Sequence, residues 1–170
     1  MKPYPDLNID CYVDSNFVGV LGYADSQDPT CVRSRTGYTI MIGDCLVLWS
    51  SKLQTNIVLS TIKAYYIALS TSVKHLIHFK RLVDSIWKVV GLTEEKHIIL
   101  NTTIWEGNQG CLMLTNLNTP RMDPRSKHYV IKYHWFRTQL KFNGIVLKKV
   151  IISSSQLVDM FNKNLRRILF

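Results

Sequence analysis

The chain has 170 residues, of which 46% are hydrophobic and 11% aromatic, and its formal net charge is +9 at pH 7. This length fits one domain with a single core, and the composition excludes a disordered chain. The 21 Lys and Arg against 12 Asp and Glu favour a polyanionic partner such as nucleic acid, although a solvated basic surface has the same composition.

Three strand-like runs come first. The segment 7–20 is rich in β-branched and aromatic residues, and the runs 37–42 and 46–49 flank a Gly-Asp pair, which is typical of an antiparallel hairpin. The polar stretch 24–35 between the first run and the hairpin is predicted to be an exposed loop.

The apolar period changes after residue 60. From 60 to 90 apolar residues recur at spacings of three and four, which predicts a long amphipathic helix of a length compatible with a kink or break. Ser60 or Thr61 is the predicted N-cap, and Gly91 the stop. Lys63 places a positive charge at the positive end of the helix, which is unfavourable by about 0.3–1 kcal/mol.

The rest of the chain alternates between predicted strands and helices. In order these are a strand over 97–105, a short helix over 108–114, a loop over 121–124, a basic helix over 126–142, a strand over 145–152 and a closing helix over 155–164. Three strands followed by this alternation predict an α/β domain, with helices packed on the faces of a mixed sheet.

Cysteine spacing and the amino-terminal segment indicate an intracellular location. Cys11, Cys31, Cys45 and Cys111 form no C-x-x-C pair, so we expect reduced thiols packed as small hydrophobic side chains. The first six residues lack the apolar region of a signal peptide, and no apolar run reaches the roughly 18–20 residues of a membrane-spanning helix. We therefore expect no membrane partner, and a place in either the cytoplasm or the nucleus.

The segment 59–70 reads Leu-Ser-Thr-Ile-Lys-Ala-Tyr-Tyr-Ile-Ala-Leu-Ser. It resembles the pattern Leu-Ser-Thr-x-Glu-Ala-Glu-Tyr-x-Ala-Leu-Ser of the ribonuclease H domain in copia-type retrotransposon Pol polyproteins. Further segments resemble that family in the same order: 11–19, 34–38 with 48–55, 105–110, 124–128 with 132–137, and 156–163. The resemblance covers nearly the whole chain and implies one domain over 1–170 with the ribonuclease H-like fold, a mixed five-stranded sheet with helices on its faces.

The resemblance also implies a chemistry, which is hydrolysis of the RNA strand in RNA–DNA hybrids by two Mg²⁺ or Mn²⁺ ions held by four acids. Carried over residue by residue, it retains Asp14 and Asp159 and replaces the other two acids by Tyr65 and Gly107. A phenol with a pKa of about 10 is neutral at pH 7, and glycine has no side chain. Asp14 and Asp159 are then expected to bind an ion weakly, if at all, and we predict that catalysis is lost.

Two other acids near these positions are poor substitutes. Glu106 adjoins Gly107, but its side chain points to the opposite face unless the strand has already ended. Asp10 shares a strand face with Asp14 but lies about 13 Å away along the strand. Without the resemblance, Asp14 would be interpreted as a turn residue and Asp159 as an exposed acid on a terminal helix.

The basic stretch 121–141 is the candidate nucleic-acid-binding surface. Its cations are Arg121, Arg125, Lys127, Lys132, Arg137 and Lys141, and they alternate with Tyr129, Tyr133, Trp135 and Phe136. Cations contact phosphates and exposed aromatic rings stack on bases, whereas an ordinary amphipathic helix would bury the rings. The pairs His75/His78 and His128/His134 lack Cys or acidic companions at a zinc spacing, so no zinc site is predicted.

Three functions remain open from the sequence. The first is a catalytically inactive ribonuclease H-like domain, the second a non-catalytic nucleic-acid-binding module, and the third a transposon remnant that folds without a function.

Overall fold

The structure, a computed structural model, describes residues 7–17, 33–91, 100–116, 127–150 and 158, without the side chains of 100 and 127–134. These ranges contain β1 (Leu7–Asn16), β2 (Arg35–Ile42), β3 (Cys45–Leu53), α1 (Thr61–Val89), β4 (Leu100–Glu106), α2 (Gln109–Asn116), α3 (Lys127–Phe142) and β5 (Ile145–Lys149). The predicted loop over 121–124 lies outside the described residues, as does the predicted closing helix except for residue 158.

The five strands form one mixed sheet in the order β3-β2-β1-β4-β5. β1, β2 and β3 pair antiparallel, and Gly43, with a φ of 56°, permits the tight turn of the predicted hairpin. β4 pairs parallel with both β1 and β5. Parallel neighbours need a crossover connection, and helices supply these crossovers in the described part of the chain. The predicted mixed five-stranded sheet is confirmed.

Helix α1 is continuous over 29 residues, so the break that its length allowed does not occur. The Ser60 hydroxyl accepts a hydrogen bond from the Lys63 backbone N–H at 3.3 Å, which confirms Ser60 as the N-cap. Gly91 follows the last turn with a φ of 72°. The helix buries a stripe that includes Leu69 and Val73. Ile62, in the first turn, has the three- and four-residue spacing of this stripe but is 43% exposed.

The core lies between the sheet and the helices. Helix α1 packs on β1 and β2, and α3 packs on α1. The Phe136 ring of α3 is fully buried and meets the Tyr66 ring of α1 edge-on, with 5.1 Å between ring centroids. Burial of such apolar surface is the main term that holds the domain together.

The boundaries differ from prediction at the start of β2 and at the end of β5. Ser34 and Arg35 were placed in an exposed loop, but Ser34 is fully buried and Arg35 begins β2. There the Ser34 carbonyl accepts a hydrogen bond from the Gln54 backbone N–H at 2.8 Å. The last predicted strand is also shorter, because β5 ends at Lys149.

The thiols Cys11 and Cys111 are free and buried, as predicted for small hydrophobic side chains, whereas Cys45 is free and exposed. Cys31 lies outside the described residues. Within the described ranges no helix is long and apolar enough to span a membrane.

Candidate active site at the ends of β1 and β4

The candidate site lies where two parallel strands end side by side. β1 and β4 are neighbours in register, with Val13 opposite Glu106. Because parallel strands end at the same edge of a sheet, this register brings Asp14 next to the last residue of β4. The start of α1 contributes Tyr65, which is partly buried against the core.

Asp14 and Tyr65 are in direct contact. The Tyr65 hydroxyl donates a hydrogen bond to Oδ1 of Asp14 at 3.0 Å, and Asp14 is only 2% exposed. The resemblance aligns Tyr65 with a family Glu, which would bring a second negative charge to this carboxylate. The phenol brings a hydrogen-bond donor without charge. The contact therefore gives Asp14 a neutral hydrogen-bond donor and does not place a second carboxylate beside it.

Gln54 holds the elements of the site together. Its amide nitrogen lies within hydrogen-bonding distance of three acceptors: Ser15 Oγ at 3.4 Å, Thr36 Oγ1 at 3.0 Å and the Ala64 carbonyl at 2.9 Å. Ser15 follows Asp14, and Ala64 precedes Tyr65. One buried side chain thus ties β1, β2 and α1 to each other, and sequence reasoning missed this role because three distant partners leave no local signal.

Glu106 is fully buried at the end of β4. Its Oε1 accepts a hydrogen bond from the Asn108 backbone N–H at 2.9 Å, while Oε2 has no partner among the described residues. Burial raises the pKa of Glu106 to about 8; the charge of Asp14 adds to this, and the N–H groups of Asn108 and Gly107 oppose it. Glu106 is therefore mostly a neutral acid at pH 7.

The charge of Glu106 also acts on two buried thiols, those of Cys11 and Cys111. Burial raises the pKa of Cys11 and of Cys111, and the negative charge of Glu106 adds to the effect at both. Both thiols thus stay protonated at neutral pH. Glu106 was predicted to be a poor substitute for the missing acid unless the strand had already ended there, and β4 does end at Glu106. Its electrostatic coupling to Asp14 went unpredicted.

The remaining site predictions have different outcomes. Gly107 follows directly after β4 and contributes no side chain. Asp159 lies outside the described residues, so its place at the site stays a prediction. Asp10 is engaged elsewhere, because its Oδ1 accepts a hydrogen bond from Trp105 Nε1 at 2.7 Å.

The described residues do not fit a pair of divalent cations. Within these ranges no three His, Cys, Asp or Glu side chains form a group that could hold a metal ion. Two such ions carry four positive charges, and hard cations need ionised carboxylate oxygens. Asp14 offers one carboxylate that already accepts a hydrogen bond from a phenol, and Glu106 is mostly protonated at pH 7.

The predicted nucleic-acid surface is only partly described. Arg121 and Arg125 lie outside the described residues, and Lys127 and Lys132 lie on α3 without described side chains. Arg137 is partly buried, and its charge opposes the rise that burial causes in the pKa of Tyr66. Lys141 is exposed in the last turn of α3.

For the aromatic rings of the basic stretch 121–141, the sequence left two alternatives: exposure for stacking on bases, or burial in the core. Each alternative holds for one ring whose side chain is described. Phe136 is a core residue, and its neighbour Trp135 is 38% exposed. Among the described side chains of α3, the rings of Trp135 and Phe142 and the cation of Lys141 are thus at the surface, while Phe136 packs in the core.

Sequence comparison finds retrovirus-related Pol polyproteins of plant transposons. The chain is 27% identical over 145 residues, 84% of its length, to the Pol polyprotein of transposon TNT 1-94 from Nicotiana tabacum. It is 27% identical over 170 residues, 100% of its length, to that of transposon RE2 from Arabidopsis thaliana. The chain spans 10% of the length of each relative. No protein-family model matches it.

Structure comparison finds ribonuclease H1 enzymes. The crystal structure of LC11 ribonuclease H1 in complex with an RNA/DNA hybrid matches with a TM-score of 0.55 and 13% sequence identity, over 89% of this chain and 91% of that one. A match at such low identity concerns the fold alone. It confirms the predicted ribonuclease H-like fold.

Proposed function

We propose that this chain, a ribonuclease H-like domain related to copia-type Pol polyproteins, is a catalytically inactive form of a domain whose relatives cleave RNA in RNA–DNA hybrids. The observation that carries the proposal is the 3.0 Å hydrogen bond from the Tyr65 hydroxyl to Asp14. A neutral donor stands where a second carboxylate would be needed to share a cation with Asp14.

Charge counting supports this proposal. With Asp14 and Asp159 as the remaining family acids, the protein supplies about two negative charges against the four positive charges of two divalent ions. Glu106 is left out of this count, because it is fully buried and burial raises its pKa to about 8 in the metal-free protein. A scissile phosphate adds further negative charge that such a centre could not neutralise.

Hybrid cleavage in the presence of Mg²⁺ or Mn²⁺ tests the proposal. We expect no cleavage above background from the natural protein or from Tyr65→Glu alone, because Gly107 still lacks an acid. We expect some cleavage from the double variant Tyr65→Glu/Gly107→Asp. Adding Asp14→Asn to that variant is the matched control and is expected to abolish the recovered activity.

Two results would contradict this reasoning. Cleavage by the natural protein that Asp14→Asn removes would show that the site is active as it stands. No cleavage by a double variant that is still folded would show that positions 65 and 107 are not the lost acids. Circular dichroism and the melting temperature report whether each variant is folded.

A second candidate function is a non-catalytic nucleic-acid-binding module. The observation that favours it is the net charge of +9, together with exposed cations such as Lys52, Lys74 and Lys141. If several phosphates are contacted, the logarithm of the binding constant falls steeply with the logarithm of the salt concentration. A flat salt response would remove this candidate. No polyanion affinity and a marginal melting temperature together would favour a remnant without a function.

A further inference from the structure

A cleft of about 510 Å³ lies between the β2–β3 hairpin and the middle of α1. Lys52 and Thr55 lie on its hairpin side, Lys74 and His75 on its α1 side, and Trp135 of α3 also lines it. Asp14, Tyr65 and Glu106 do not line this cleft, so it is separate from the candidate active site. Among the described residues it shares with that site Gln54 and Thr36, which are hydrogen-bonded to each other and line the cleft.

The cleft is positively charged. Lys52, Lys74 and His75 are exposed, and none of the described residues that line the cleft is acidic. Among the described residues neither lysine has an ion-pair partner. Partial burial lowers the pKa of His75, and the charges of Lys74, His78 and Lys52 lower it further. Two lysine ammonium groups and one imidazole thus line the cleft, and no acid among the described lining residues compensates the lysine charges, which favours an anionic ligand.

The walls of the cleft suit a nucleotide as well as an anion. The His75 and Tyr38 rings are stacked, with 5.3 Å between centroids and 18° between planes, so one wall is fixed. Thr55 and Ser70 add hydroxyl groups, which commonly contact phosphate oxygens. The partly exposed Trp135 offers an aromatic surface on which any base can stack.

We propose that this cleft binds single-stranded nucleic acid, with Lys52 and Lys74 on phosphates and Trp135 against a base. Its volume falls within the roughly 300–1,000 Å³ of small-molecule pockets, which suits a flexible nucleotide unit and not the surface of a duplex. The inference rests on the nucleic-acid-binding candidate function, and it places that binding away from Asp14.

Fluorescence anisotropy with a short labelled single-stranded oligonucleotide, at several salt concentrations, tests the proposal. The cleft variant is Lys52→Gln/Lys74→Gln. The control is Arg81→Gln/Lys88→Gln, which removes the same charge from exposed positions on the carboxyl-terminal half of the same helix. Losing two phosphate contacts is expected to reduce the salt slope by about 1.4, because each contact on a single strand contributes about 0.7. The control is expected to keep most of the slope.

Trp135→Leu separates stacking from charge. It is expected to weaken binding roughly 5- to 150-fold at every salt concentration without changing the slope. If the natural protein binds but the cleft and control variants weaken equally, the cleft is not the site, while the nucleic-acid-binding function stands. If the natural protein does not bind the oligonucleotide at all, both the cleft proposal and the nucleic-acid-binding function are wrong. If duplex competes as well as single strand, the proposed selectivity is wrong.

Discussion

The buried acid Glu106 gives the domain a pH-dependent stability that a single substitution should remove. In the folded protein burial raises the pKa of this carboxyl group from 4.5 to about 8. Between these values the unfolded chain releases a proton that the folded protein keeps, so the folded state binds more protons and stability falls as pH rises. The contribution is fully present below about pH 4.5 and is lost once the pH has passed about 8.

The size of the effect follows from the shift. Each pKa unit corresponds to about 1.4 kcal/mol, so a rise from 4.5 to about 8 gives a loss of about 5 kcal/mol. Glu106→Gln removes the ionisable proton, and its amide oxygen can still accept the hydrogen bond from the Asn108 backbone N–H. We expect this variant to match the natural protein within about 1 kcal/mol at pH 5 and to exceed its stability by about 3–5 kcal/mol at pH 8.5.

Urea unfolding at a series of pH values measures this difference. Asp44→Asn is the control, because Asp44 is exposed in the hairpin turn and is expected to leave the pH profile of stability nearly unchanged. Parallel profiles for Glu106→Gln and the natural protein would refute the reasoning. They would mean that Glu106 ionises at an ordinary pH, because water or a rearranged side chain hydrogen-bonds its Oε2 atom.

Two further substitutions test contacts of the site and the core. Tyr65→Phe removes the hydrogen bond to the buried Asp14 carboxylate and is expected to cost about 1.5–3 kcal/mol of unfolding free energy. Tyr12→Phe is the control, because no described residue accepts a hydrogen bond from the Tyr12 hydroxyl, and it should cost less than about 0.5 kcal/mol. Phe136→Ala empties a fully buried position and is expected to cost about 3–5 kcal/mol in urea unfolding, against about 0.5 kcal/mol or less for Phe142→Ala, whose ring is 83% exposed.

Local signals explain why much of the fold could be predicted. The hairpin turn needs a positive φ at Gly43, and the start of α1 needs the Ser60 side chain as a cap. Both requirements are met by residues within a few positions of the turn they serve. The ribonuclease H-like arrangement of the elements followed from motif order, since composition and periodicity predict only a mixed sheet.

The parts that escaped prediction depend on contacts between distant residues. Glu106 is separated by more than ninety residues from Asp14, and acids are rarely buried without a partner, so nothing in the local sequence indicates its raised pKa. Gln54 follows β3 as an ordinary polar residue, and only the folded chain brings its amide to Ser15, 39 positions away. Residues of this kind are missed because their environment is made by the fold.

The site also bears on how activity and stability trade against each other. A Glu at position 65 would face the Asp14 carboxylate directly, and two like charges at about 4 Å repel by roughly 4 kcal/mol near a protein surface. On the proposed function, the Tyr65 hydroxyl replaces that repulsion with a hydrogen bond, so stability is gained at the position where a metal ligand is lost. The double variant Tyr65→Glu/Gly107→Asp should therefore be less stable than the natural protein without divalent cations. Mg²⁺ should raise the melting temperature of this variant more than that of the natural protein, because the variant has two additional acids whose repulsion a cation can relieve.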